Sequence, residues 1–344
     1  MSKTQAQTLP RNGARKPVLL RPPTLIALAL LAILALLPLF VTGSKISNYR
    51  DILLFALFAL SLDIFWGRTG ILSFGHATFF GIGAYGMAVV SIRSGISPEW
   101  ITVVGALAGI GLASVFALAV GYFILYGGVR GAYFTIVTLA LTLIANQIAI
   151  GWSNVTGGDS GLIGVPPFAI FGFQFASTIS SYYLALGLLA ICLLVSLRVM
   201  HGRLGLVLTA IQDNETKLRT LGYRTQFTLL MTFVASAAMA GMAGAVYVTA
   251  TGFVAPDLIA LLLSTEVIIW VAVGGSGTLV GGVIGTFVVW QLQQKISSIS
   301  IAAWPLFVGL FFILLVLVFP QGLPAFLLEQ AARISGRKGG HNGQ

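Results

Sequence analysis

Charge is what this chain has least of. Only 8% of its 344 residues are charged, against 57% hydrophobic, where a soluble domain carries about 25% charged residues. Nineteen Lys and Arg with nine Asp and Glu cannot cover a water-exposed surface for a chain of this length. Cysteine is almost absent. Cys192 is the single one, so no intrachain disulfide and no cysteine-spaced zinc or iron–sulfur motif can form, and inside its apolar run it reads as a small buried hydrophobe. There is no GxxxxGKS or GxxxxGKT phosphate loop. No polar constellation recurs at catalytic spacing, so no catalytic residue and no metal ligand is assigned. The short alternating segments of a membrane β-barrel are missing as well.

What the chain has instead is long apolar runs, several of eighteen residues or more, the mark of helical membrane spans. Ten are expected, at 25–41, 51–66, 71–90, 101–126, 132–150, 182–199, 227–249, 258–274, 279–290 and 301–319, giving an all-α polytopic bundle. The net charge of +10 is concentrated in the N-terminal tail, the 201–224 stretch and the C-terminal tail. That is the distribution of cytoplasmic faces held against an anionic membrane surface, not of a nucleic-acid binder. The reading divides the chain into a basic cytoplasmic tail (1–24), a transmembrane domain (25–323) and a second cytoplasmic tail (324–344). Within the domain, 151–181 is an ordered external loop rich in Gly and aromatics, and 201–226 is a cytoplasmic loop. Both termini are expected in the cytoplasm.

Three stretches are informative. LSFGHATFFGIGA (72–84) places Ser73, Gly75, His76 and Gly83 in an apolar setting. A membrane-embedded His is costly unless it faces protein or water, and the glycines suit close packing, a kink or backbone lining a path. A packing face with His76 as a structural hydrogen-bonder, and a pathway role for His76, both remain open. Asp63 and Glu266 are further candidates for buried ionisable groups. Structural pairing is expected for Asp63, and Glu266 stays open. VGGSGTLVGGVIG (273–285), with Gly274 and Gly275, reads as a tight break between two spans or a discontinuous helix. The 201–224 stretch holds Arg203, Asp213, Glu215, Lys217, Arg219 and Arg224. Helical character is expected from Ala210 to Leu221, with Asp213–Lys217 and Glu215–Arg219 at the favoured i,i+4 spacing and Gly222 stopping the helix. It reads either as a connecting interfacial helix or as a docking surface.

TGILSFGHATFFGIGAYGMA, RGAYFTIVTLALT, VTGGDSGLIGVP, AIQDNETKLRTLGY, ASAAMAGMAGAVY, VGGSGTLVGGVIG and FPQGL occur in this order. From about 51 to 323 they resemble the LivM-like permeases of bacterial ABC importers for branched-chain amino acids. The resemblance implies a second, LivH-like permease, two cytoplasmic ABC ATPase subunits that bind ATP and Mg, and a periplasmic substrate-binding protein, with no cofactor on this chain itself. It implies an inner-membrane location. It places a coupling helix on Ala210, Asp213, Asn214, Glu215, Leu221 and Gly222, and Lys217 and Arg219 of the charge pairs lie within it. STEVIIWVAVGGSGTL (264–279) is equally similar to urea-import permeases, so a urea or short-chain amide substrate stands as the alternative. An autonomous ion-coupled carrier using Asp63, His76 and Glu266 is the rival of another class.

Overall fold

A computed structural model of the protein describes residues 22–41, 43–95, 97, 100–170, 172–297, 304, 306–310 and 313. Eleven α-helices account for most of them. α1 (Pro22–Leu36) runs into a 3₁₀ turn at Leu37–Leu39, where Pro38 lacks the N–H needed to continue the helix. There follow α2 (Ser44–Thr69), α3 (His76–Arg93), α4 (Ile101–Tyr126), α5 (Ala132–Gly151), the short α6 (Ser153–Thr156) and α7 (Thr178–Met200). Then come α8 (Arg203–Thr220), α9 (Thr225–Thr251), α10 (Leu261–Gly274) and α11 (Val280–Ser297). The loop between α5 and α7 is ordered. Its β1 (Leu162–Ile163) pairs antiparallel with β4 (Phe253–Val254) beyond α9, and β2 (Ala169–Ile170) pairs with β3 (Phe173–Gln174).

Among the described residues the expected ten spans are not found. Among the described residues five helices are long and apolar enough to cross a membrane: Lys45–Thr69, Ile101–Tyr126, Ala132–Gly151, Thr178–Met200 and Thr225–Thr251. Two shorter apolar helices, Pro23–Leu39 and Leu261–Gly274, accompany them. The apolar run at 71–90 counted as a span, but residues 70–75 are not helical, and α3 carries His76, three glycines and Arg93. The run at 258–274 loses its start to a 3₁₀ turn at Pro256–Ile259. The run at 279–290 continues into Gln291, Gln293, Gln294 and Lys295. Most of 301–319, and both tails apart from residues 22–24, lie outside the described residues.

α2 is the axis of the molecule. Of its most apolar stretch 83% is buried, against 28% in α4 and 22% in α5. It packs against α7, α9, α10 and α11, while α3 is held between α4 and α9. The outer helices turn Leu107, Leu112, Phe123, Ile136, Ile144, Ile191 and Val195 outward. Apolar groups on both faces are what a lipid-facing helix needs.

Apolar surface gains nothing by leaving lipid, so the inner helices must hold together by packing. The sequence provides for this with small residues. A β-carbon on Gly83 would fall on the Gly241 carbonyl, and one on Gly109 on the Gly83 carbonyl. One on Gly244 would strike the Phe80 carbonyl, and one on Gly241 would stand 2.7 Å from Ala113 Cβ. Backbones of α3, α4 and α9 therefore meet almost directly. Gly241→Val is expected to lower the apparent unfolding temperature in detergent, at a cost of about 1–3 kcal/mol from overpacking. Gly111, where nothing stands within 4 Å, is the matched control, and Gly111→Val should leave the temperature unchanged.

Candidate functional site

Two helix breaks and one amphipathic helix converge at the same end of the molecule. The first break is residues 70–75, between α2 and α3. α2 ends at Gly70, whose left-handed φ of 71° lets its N–H close on the Trp66 carbonyl. Partly buried backbone outside a helix must find partners elsewhere in the protein, and α5 supplies them. Thr135 Oγ1 donates to the Leu72 carbonyl (3.0 Å), Thr138 Oγ1 accepts from Phe74 N (3.1 Å), and Thr142 Oγ1 donates to the Phe74 carbonyl (2.8 Å). These threonines stand at i, i+3 and i+7, on one face of the helix. Ser73 Oγ accepts from Gly75 N at 3.2 Å. Ser264 Oγ, on α10, accepts from Ala77 N at 3.2 Å and so caps the start of α3.

His76 is fully buried at that start. Its Nε2 lies 3.0 Å from Ser61 Oγ and 3.3 Å from Ser236 Oγ. The Ser61 hydroxyl already donates to the Phe58 carbonyl (2.6 Å) and the Ser236 hydroxyl to the Ser61 carbonyl (2.5 Å). With both hydroxyl protons engaged, Nε2 must carry the ring proton and donate. Nδ1 is buried without a partner, so a second proton there would have no acceptor. The ring stacks on Phe58, centroids 5.7 Å apart. This is the geometry of a neutral imidazole tying α2, α3 and α9 together.

The second break, residues 275–279, joins α10 to α11. Gly275 (φ 86°) and Gly277 (φ 84°) take left-handed conformations that only glycine adopts freely, and Leu279 (φ 61°) is held in one too. The holding group is Asp63, completely buried on α2. Its Oδ1 accepts from Gly277 N at 2.5 Å and its Oδ2 from Leu279 N at 2.7 Å. The carboxylate thus sits at the N-terminus of α11, where negative charge is favoured. Gly67, one turn on, packs so closely on Gly277 that a β-carbon would overlap its amide. Gly274 and Gly281 pack backbone to backbone across the hairpin.

α8 lies beside these breaks, and the Gln212 side chain stands 3.3 Å from where a β-carbon on Gly70 would be. It is not the single helix expected over 210–221. Asn214 has extended dihedrals (φ −163°, ψ 95°) that divide α8, and its Oδ1 accepts from Lys217 N at 2.9 Å, capping a second short helix. Nor does Glu215 pair with Arg219. It takes a bidentate pair from Arg130 in the turn between α4 and α5, Nε to Oε2 at 2.9 Å and Nη2 to Oε1 at 3.1 Å, plus the Thr225 hydroxyl at 3.0 Å. The bond from Arg130 holds the Glu215 carboxyl below the usual range, aided by Thr225 and opposed by partial burial. Ala210 is half-buried, whereas Asp213, Asn214, Lys217, Arg219, Leu221 and Gly222 are exposed, Leu221 by 73%. Gly222 (φ 87°) ends the helix, with Tyr223 N donating to the Leu218 carbonyl at 3.3 Å.

The structure therefore groups Ser73, Gly75 and His76 at one break, and Gly274 and Gly275 at the other. Gly83 belongs to the helix crossing. Glu266 is eight residues before Gly274, about 12 Å along α10, with Oε1 accepting from Trp304 Nε1 at 2.9 Å and Gln293 Nε2 at 3.4 Å. Sequence reasoning missed Ser61, Ser236, Ser264, Arg130 and the threonines of α5. The threonine spacing was the one available signal. Among the described residues no group of three or more His, Cys, Asp or Glu could hold a metal ion.

Broken helices within a bundle of apolar spans occur in many membrane transporters. Residues 46–319 match the family described as branched-chain amino acid transport system permease component, and the chain belongs to that family. It is 26% identical over 327 residues to the high-affinity branched-chain amino acid transport system permease protein LivM of Escherichia coli K12, covering 87% of this chain and 74% of that one. Its identity to LivH of the same organism is 25% over 288 residues, 78% of this chain and 90% of that one. A 98-residue stretch is 31% identical to the autoinducer 2 import system permease protein LsrC of Salmonella typhi, 27% and 28% of the two chains. No solved structure matches the chain.

Two outcomes follow from the geometry. Asp63→Ala leaves the Leu279 and half-buried Gly277 amides unsatisfied and is expected to cost about 2–6 kcal/mol, at 1–3 per group, with Asp63→Asn intermediate. Thermal unfolding in detergent checks both. Because the Glu215 carboxyl is depressed on folding, its contribution is present above its unfolded pKa and lost as pH falls through the lower folded value. Glu215→Gln should therefore destabilise by about 1 kcal/mol at neutral pH, allowing for solvent screening, and the difference from wild type should vanish in acid below the ordinary glutamate range.

Proposed function

We propose that this chain is one of two permease subunits of an ATP-driven importer that carries branched-chain amino acids across the bacterial inner membrane by alternating access. The observation that carries the reading is the family match across 46–319, together with similarity over most of the chain to both LivM and LivH. Similarity to the two named proteins of one transport system suits a pair of related permeases. The remaining partners are two cytoplasmic ABC ATPase subunits, which bind ATP and Mg, and a periplasmic binding protein that selects the substrate.

In this reading the second helix of α8, with Lys217, Arg219, Leu221 and Gly222, faces the ATPase from the cytoplasm. The 151–181 loop faces outward. Exposed Leu221 and Tyr223 are what a docking surface needs, and Glu215 acts differently from its neighbours because it is bound to Arg130. A push on α8 reaches the 70–75 break through Gln212 and α5 through Arg130, and the breaks repack to open the path on one side or the other. Ser73, Gly75, His76, Gly83, Glu266, Gly274 and Gly275 line or brace that path.

The test is uptake by the complete complex in proteoliposomes, with its own binding protein. ATP-dependent uptake of leucine, isoleucine or valine is expected, and Lys217→Glu or Leu221→Asp should leave assembly in the membrane intact while cutting transport per ATP hydrolysed at least several-fold. ATP-dependent uptake of urea without amino acids would transfer the substrate to the short-amide class. Uptake by this chain alone, driven by a proton or sodium gradient, would contradict the importer reading.

A further inference from the structure

Away from the breaks, α10, α11 and the described residues Trp304 and 306–310 enclose a narrow cavity of about 40 Å³ lined by Glu266, Trp270, Leu292, Trp304 and Phe307 among others. Its walls are apolar except at one point. Glu266 is 8% exposed, yet its hydrogen bonds, from Trp304 and Gln293, come from neutral donors and both end on Oε1. Among the described residues Oε2 receives no hydrogen bond and no cation pairs with this carboxylate. A carboxyl group in so apolar a setting stays ionised only where a counter-charge meets it. Two more polar atoms around it are buried and unpartnered: Gln293 Oε1, whose own amide bonds Glu266, and Nε1 of the fully buried Trp270.

We infer that this cavity binds a primary ammonium group. The ammonium donates to Glu266 Oε2, on a carboxyl that Gln293 Nε2 steadies through Oε1, against the aromatic walls of Trp270, Trp304 and Phe307, which suit a cation. Room for about three waters accommodates the ammonium and its first methylene but not a whole apolar side chain. The remainder of the ligand leaves between Leu292 and Phe307, lining residues that are 40% and 49% exposed. Two ligands share this chemistry: a free amino acid, and an aminophospholipid headgroup reaching in from the bilayer. The site stands without the importer reading, because binding is measured on this chain alone.

The test uses the full chain in nanodiscs of phosphatidylcholine and phosphatidylglycerol, with radiolabelled methylammonium as the probe. Saturable binding near one per chain is expected, weakened about tenfold or more in Glu266→Gln by loss of a charge-assisted bond. Gln293→Leu should weaken it several-fold, and tetramethylammonium, having no N–H to donate, should compete poorly. Displacement by leucine identifies the amino-acid source. Loss of probe binding when phosphatidylethanolamine is added to the nanodisc identifies the lipid. Absence of saturable binding, equal binding in Glu266→Gln, or binding that neither source displaces overturns the assignment. Should Glu266→Gln fail to fold, equal competition by methylammonium and tetramethylammonium in the wild type overturns it as well.

Discussion

The structure depends on one carboxylate bonded to two backbone amides. A stretch of chain that is not helical leaves backbone groups that no helix ladder satisfies, and the α10–α11 hairpin contains five such residues. Asp63 satisfies Gly277 and Leu279 at once, from a helix that is itself the best-buried in the molecule. Without that group the left-handed conformations at 275, 277 and 279 would have no reason to persist. With it, the hairpin becomes a fixed extension of α2. The other break obeys the same constraint by a different route, its carbonyls and amides taken up by a row of threonine hydroxyls on α5.

Because both breaks are tied to α2 or α5, neither can move alone. α2 ends at Gly70 beneath Gln212 of α8, and the turn leading into α5 is gripped by Glu215 through Arg130. α8 and both breaks thus share one framework of hydrogen bonds and backbone contacts. The glycine crossing of α3, α4 and α9 is the rigid part of that framework, since backbones in direct contact leave no slack. This division into a dense inner set of helices and a loosely covered outer set leaves α4 and α5 free to face lipid or a partner along most of their length.

Much of this was legible in the sequence, but unevenly. Apolar runs identified the membrane class, and ordered motifs identified the family. Asp63 was rightly expected to be structural, though its partners are amides of the glycine-rich break rather than a cation. The span count failed because hydropathy does not distinguish an apolar helix from an apolar stretch that is extended or 3₁₀, as at 70–75 and 256–259. Charge spacing in α8 predicted Glu215–Arg219 and Asp213–Lys217 pairs. The helix interrupts itself at Asn214, and a distant bidentate arginine outcompetes a local pair of only about 0.2–0.5 kcal/mol. Nothing local to Arg130 announces that partner. Serines 61, 236 and 264 come from three helices, and only the fold brings them to α3.

Amide hydrogen exchange at residues 275–279, followed by mass spectrometry on the full chain in nanodiscs, tests the Asp63 clamp most directly. The account predicts slow exchange at Gly277 and Leu279 in the wild type and faster exchange in Asp63→Ala, with the α3, α4 and α9 crossing unchanged in both. Equal exchange at 275–279 in the two proteins would contradict it.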